Sequence, residues 1–288
     1  MEGIPDLEER IAQVRDIRRF GEEELGLEFG GAFERVELDT PGLAYWVYAS
    51  PKDGLEVAEP EQCDAGYPFE SFSDRDEAME REKALRERGF DTHLFESCAY
   101  GSTECQITKE LLMEGRPAVR ASDILHEGLH ITQDLRGWDL PYTLDEHVAT
   151  YTGLNGALAY VRKNLPDAVT DAERNIRWWK EFAGFIKHYD SILTECYRQA
   201  DGSRNPLLTA AHKLRAHVIR AHAGREMRAR LHHSDKLNNA FFLRQRDYTQ
   251  HTDEVWETLG AVDLGEYISN PDSTNALLLE RIGGAADG

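Results

Sequence analysis

His126-Glu127-Gly128-Leu129-His130 is an H-E-x-x-H. On a helix, a spacing of four puts the two imidazoles on one face, a turn apart. Imidazoles so placed can share one metal ion, and Glu127 can reach a water on that ion. The pattern is that of zinc hydrolases, with the glutamate as general base. Two histidines do not complete a catalytic zinc site, which takes three protein ligands and leaves one position for water. Asp134, Asp139, Asp145, Glu146 and His147 follow closely enough to be candidates. On a helix from Leu144, Glu146 shares a face with Ala149, Thr150, Gly153 and Ala157. Those small residues let that face press against another helix, so Glu146 is the expected third ligand. Asp145 stands where helix-start carboxylates complement the dipole. His147 shares its face with Tyr151, Leu154 and Leu158, which reads as core.

Neighbouring residues could support the imidazoles. Asp123 lies at i−3 from His126 and Asp134 at i+4 from His130. Either could hold an imidazole through its second nitrogen, or simply be a solvated helix acid. Gly128 costs a helix about 1 kcal/mol relative to Ala. It points to close backbone approach, for which a substrate-lining strand is one candidate.

The elements that must position these groups change character near residue 120. Residues 6–25 have Ile11, Val14, Ile17 and Phe20 at helical spacing, with Gly26 as the stop. Strands are expected at 35–39, 44–49, 66–72 and 91–100, and a charged helix from Ser73-Asp74 to Arg88. Beyond 120 the pattern is helical: a metal helix capped by Ser122, then helices over 144–162, 171–199, 206–232 and 236–259, and a short terminal one. The expected class is α+β. An N-terminal α/β subdomain (1–120) with a small sheet and substrate-lining strands packs on a helical metal-binding subdomain (121–288).

Composition narrows the partners. Net charge is −20, so polyanions are repelled and neither nucleic acid nor an anionic membrane is an expected partner. No stretch approaches the length of an apolar span, and the start of the sequence carries no secretory signal, so a cytoplasmic location is expected. Cys63, Cys98, Cys105 and Cys196 show no C-x-x-C spacing, which favours reduced thiols over a zinc knuckle or a disulfide framework.

Leu125-His-Glu-Gly-Leu-His130 followed by Leu144-Asp-Glu-His-Val-Ala-Thr150 resembles the putative aminopeptidase family of bacterial H-E-x-x-H proteins. That family carries an H-E-x-A-H helix and then an N-E-S-F-A-T helix. The likeness extends to Arg15–Phe20 with Glu23–Leu27, to Ala99-Tyr-Gly-Ser-Thr103, and to Leu237-Asn-Asn-Ala240 with Tyr248. Together these motifs cover most of residues 8–270 in order. The resemblance implies a gluzincin-like zincin fold with one zinc ion on His126, His130 and Glu146 and with Glu127 as the base. The chain departs from the family at Leu129, usually Ala, and at Asp145, usually Asn, which touches substrate fit more than metal binding.

The expected function is therefore a zinc metallopeptidase, an aminopeptidase by resemblance, hydrolysing peptides through a zinc-activated water. Oxyanion stabilisation needs a second donor. Tyr248 is the first candidate, followed by Tyr142, Tyr151 and Tyr189. A strand ending in Tyr100-Gly101-Ser102 could hold substrate by strand addition. The alternative is a non-catalytic metal- or peptide-binding protein of the same fold, although such a protein has no need of Glu127. Asn238 and Asn239 are either helix-start residues or substrate ligands. The basic stretch from His212 to His233 reads as a solvated or acid-paired face, with carboxylate binding by one arginine as the sharper possibility. His232, His233 and His251 read as structural.

Overall fold

The computed structural model describes residues 6–38, 44–63, 67–97, 101–138, 140–231 and 237–286. Helices dominate and the sheets are small, as an α+β class requires. The chain divides into two compact units that interleave in sequence, whereas the sequence reading cuts it once, after residue 120. The first unit comprises Met1–Leu43, Cys98–Trp179 and His251–Gly288; the second comprises Ala44–Ser97 and Lys180–Gln250.

In the first unit, α1 (Leu7–Phe20) buries Val14, Ile17 and Phe20 and runs into a π-helical turn, Gly21–Leu25. Gly26 ends it at φ 76°, in the left-handed region that glycine enters without strain. The next segment crosses the metal-motif helix α4 (Pro117–Arg136). There the Glu28 amide donates to Thr132 Oγ1 at 2.8 Å, and Arg136 donates to the Gly26 carbonyl at 2.9 Å. The buried Phe29 ring fills the space over Gly128: a Cβ there would stand 2.5 Å from the ring. Gly128 thus answers to an aromatic side chain, not to the substrate-lining strand expected. Two elements escape the periodicity reading. They are β5 (Ile107–Thr108), which pairs in parallel with β1 (Val36–Glu37) inside the strand expected at 35–39, and α3 (Lys109–Met113), which follows with Thr108 as its cap. Pairing over so long a separation leaves no local signature.

α4 begins at Pro117, whose fixed φ and missing N–H suit a first helical position. Ser122 is therefore inside the helix and not its cap. α5 (Tyr142–Asn164) packs against α4 through Gly153 and Gly156. A Cβ at Gly153 would meet the Ser122 carbonyl oxygen at 2.5 Å and His126 Cβ at 3.0 Å. Ile124, Leu125, Leu129, Leu144, Val148 and Ala149 surround this crossing as fully buried core. α9 (Thr252–Leu259), α10 (Leu264–Ser269) and α11 (Asp272–Ala286) complete the unit.

The second unit is an antiparallel sheet in the order β3 (Phe69–Phe72), β2 (Ala44–Ser50), β4 (Asp91–Ser97). On one face α2 (Arg75–Glu87), capped by Asp74, covers Tyr45 and Val47 with Ala78 and Leu85. α7 (Pro206–Leu231) and α8 (Asn239–Thr249) belong here, while α6 (Val169–Asp201) is in the first unit through Trp179 and in the second from Lys180. The expected helix over 236–259 is in fact two. The His251 amide turns to donate to His147 Nε2 at 2.9 Å, and α9 starts afresh at Thr252. Among the described residues no disulfide joins Cys63, Cys105 and Cys196 to one another, and no helix is long and apolar enough to cross a membrane.

The crossing at Gly153 makes a direct prediction. Alanine at Gly184, which meets nothing within 4 Å, should stabilise the protein by up to about 1 kcal/mol through helix propensity. Alanine at Gly153 has the same propensity gain but adds overpacking of about 1–3 kcal/mol. Denaturant melts should therefore rank Gly184→Ala above wild type and Gly153→Ala below it; equal gains in both would remove the case for a close crossing.

Candidate metal centre

The close crossing brings Glu146 to the paired histidines. His126 Nε2 and His130 Nε2 stand 3.1 Å apart. Glu146 Oε2 lies 3.4 Å from the first and 3.7 Å from the second. One atom from each of these residues falls within 4.8 Å of the others, a grouping able to hold a metal ion. Glu146 is 8% exposed, and its Oε2 is buried without a hydrogen-bond partner. Leaving a buried carboxylate oxygen unsatisfied is costly. Two imidazole nitrogens, neither committed elsewhere, face the same spot. Three such donors suit a divalent cation of borderline softness, zinc above all.

Asp145 acts where the sequence did not assign it. Its Oδ2 is 3.0 Å from His130 Nδ1. That contact leaves His130 Nε2 directed toward His126 and Glu146, the arrangement by which a second carboxylate orients a ligand imidazole. Adjacency to Glu146 hid this role, because a helix-dipole explanation already accounted for Asp145. Asp134 is exposed, and no hydrogen bond joins Asp123 to either imidazole among the described residues. Burial pushes the Asp123 carboxyl up to about 7, against the attraction of His126.

Charge follows from this geometry. Burial alone would raise Glu146, but His130 and His126 outweigh it and hold the carboxyl well below its usual range. Burial disfavours the His130 cation, yet Asp145 and Glu146 together raise it well above an ordinary histidine. Glu127 is raised by burial, with His126 and His130 pulling the other way. No described residue donates a hydrogen bond to the Glu127 carboxylate, which leaves it available to a water. A carboxyl raised toward neutrality is better matched to proton transfer at neutral pH than an ordinary glutamate.

The putative aminopeptidase family matches this chain over residues 3–268. The chain belongs to that family. The match takes in both compact units, so each is part of the family's architecture. Putative aminopeptidase membership points to peptidase chemistry and to peptides as substrates. No curated protein and no solved structure matches the chain.

The other residues singled out in the sequence fall in different places. Gly101 packs on the metal helix: a Cβ there would stand 2.5 Å from His130 Cβ. Ser102 caps its own turn, accepting from the Glu104 amide at 3.2 Å. Tyr100 and Asp139 lie outside the described residues, as do His232 and His233. Tyr248 is on α8 in the second unit, its ring 5.4 Å from the Arg244 guanidinium. His147 is structural: Nδ1 contacts the Thr143 carbonyl and Nε2 accepts from His251.

The paired asparagines hold the second unit together. Asn238 caps α8 and donates to the Thr92 carbonyl at 2.8 Å. Asn239, fully buried, donates to the Pro51 and Gly54 carbonyls at 2.9 and 2.6 Å. Arg220 on α7 donates to Asn239 Oδ1 and to Asp91, both at 2.8 Å. These bonds account for Asn238 and Asn239 without a substrate.

The paired shifts fix a pH dependence for the metal-free protein. The depressed Glu146 carboxyl contributes stability above its ordinary value near 4.5, lost as pH falls toward the lower folded value. The raised His130 contributes below its ordinary value near 6.5, lost as pH climbs through the higher folded value. Both contributions are present together from about pH 4.5 to 6.5. Thermal melts in chelator should therefore show the midpoint falling as pH rises above 6.5 toward the raised value, with a shallower fall in Glu146→Gln. The same slope in both proteins would contradict the coupling.

Proposed function

We propose that this chain is a zinc-dependent peptidase acting at peptide N-termini, with a gluzincin-like site on a zincin-like fold. The observation that carries the reading is the convergence of His126, His130 and Glu146 on one spot, with a buried Glu146 oxygen that no described group satisfies. Family membership supplies the peptide substrate.

His126, His130 and Glu146 are the ligands in this reading. A zinc ion bound there would supply Lewis acidity, making a water more acidic and a carbonyl more electrophilic. The residues of the chain do the rest. Asp145 fixes the His130 ring so that Nε2 is the donor. Glu127, following the first ligand on α4, accepts the proton of the attacking water and passes it to the leaving amine. Its raised carboxyl makes Glu127 a stronger base for the first half of that exchange. Tyr248 is the proposed donor to the oxyanion. Tyr142, four residues before Glu146 and therefore on its helical face, stands behind it as the candidate within the first unit. Gly101 and Ser102 are proposed to line the substrate path beside His130.

Glu127→Gln separates base from ligand. The variant should keep stoichiometric zinc and peptide binding, and lose hydrolysis of an N-terminally free peptide by about 10²–10⁴-fold, the usual contribution of a general base. Undiminished turnover in Glu127→Gln would rule out the assigned base. Loss of zinc along with turnover would mean that Glu127 is itself a ligand.

A further inference from the structure

Arginines of the second unit commonly commit their guanidinium to a carboxylate. Arg220 pairs with Asp91 at 2.8 Å and Arg246 with Asp190 at 2.8 Å. Arg81 bridges Glu59 and Glu70 at 2.7 and 2.6 Å. Arg244, two residues before Arg246 on α8, does neither. Among the described residues it makes no ion pair and no hydrogen bond, and its Nε is buried without a partner.

Aromatic rings hold it instead. The Arg244 Cζ sits 3.7 Å from the centroid of the Phe95 ring on β4 and 5.4 Å from that of Tyr248, one helical turn on. Phe95 is itself stacked on Trp46, its partner across the sheet, at 5.4 Å and 28°. Trp46 stacks in turn on Phe69 at 5.1 Å and 25°. The guanidinium thus ends a stack of rings that spans the three strands.

This arrangement has a chemical consequence. A guanidinium lying flat on a ring keeps its in-plane N–H edge open, and that edge fits a carboxylate through two parallel hydrogen bonds. Stacking also removes rotamer freedom that binding would otherwise have to freeze. The long-range field of a chain with net charge −20 opposes acidic ligands, so their recognition calls for a local, uncommitted cation.

We propose that Arg244, braced by Phe95 and Tyr248, is a recognition residue for the carboxylate of a peptide. The peptide identity rests on the proposed function; the carboxylate chemistry does not. The carboxylate has two possible sources, the peptide C-terminus or an acidic side chain.

Calorimetric titration of the full chain, in the Glu127→Gln background so that no peptide is consumed, tests this. Ala-Ala-Ala is compared with its C-terminal amide, and Ala-Glu-Ala-amide with Ala-Gln-Ala-amide. At least one carboxylate peptide should bind about tenfold tighter than its neutral twin, equivalent to one charge-assisted pair. The pair that shows the difference identifies the source. Arg244→Gln should abolish the preference, and Arg244→Lys should keep only part of it, because a point charge cannot replace the fork. Should Arg244→Gln fail to fold, the lysine variant alone gives the same reading. Equal affinities within both pairs, no binding of any of these peptides, or a preference that survives in a folded Arg244→Gln would each overturn the inference. Hydrolysis by the wild type is a separate outcome: its absence would sink the peptidase reading while leaving a carboxylate preference intact.

Discussion

Backbone contact between α4 and α5 at Gly153 is the constraint on which the candidate site depends. A helix pair ordinarily sits 8–10 Å apart at the axes, held off by its side chains. With glycine at the crossing, the α5 backbone comes within reach of the Ser122 carbonyl and the His126 backbone. Glu146, two turns earlier on the same face, is then delivered to the histidine pair. A side chain at 153 would move the carboxylate away from donors that it now meets at 3.4 and 3.7 Å.

The same packing explains the electrostatics. Taking Glu146, Glu127 and His130 out of water would ordinarily neutralise each of them. Mutual proximity divides them. His130 and His126 hold Glu146 low, Asp145 and Glu146 raise His130, and at Glu127 burial prevails and the carboxyl is raised. A metal ion would take over the role of the His130 proton, which is why acidity and metal binding compete for one set of atoms. The second unit obeys a different economy. Asn239 and Arg220 satisfy carbonyls and a carboxylate that the sheet presents, and Arg244 is left to the rings.

Much of the site was legible in the sequence because it depends on helical periodicity. The spacing of His126 and His130 and the small-residue face of Glu146 are both properties of single helices. Asp145 was missed because two roles, dipole partner and imidazole brace, predict the same residue at the same place. Gly128 was recognised as a close approach, but its partner Phe29 comes from about a hundred residues earlier, beyond any local pattern. The parallel pair β1–β5 and the interleaving of the two units were hidden for the same reason. The break at His251 was masked by continuous helical propensity, since its cause is a hydrogen bond to His147 on another helix. The L-N-N-A motif stood out for its residue types, and the structure gives it an architectural use.

The central claim is that His126, His130 and Glu146 together bind one metal ion. The most direct measurement is the metal content of the purified full chain by elemental analysis after exposure to equimolar zinc and removal of excess, beside His126→Ala and Glu146→Ala. Close to one zinc per chain is expected in the wild type and much less than one in both variants, with all three proteins folded. Wild-type protein that retains no zinc, or variants that retain as much as the wild type, would contradict it.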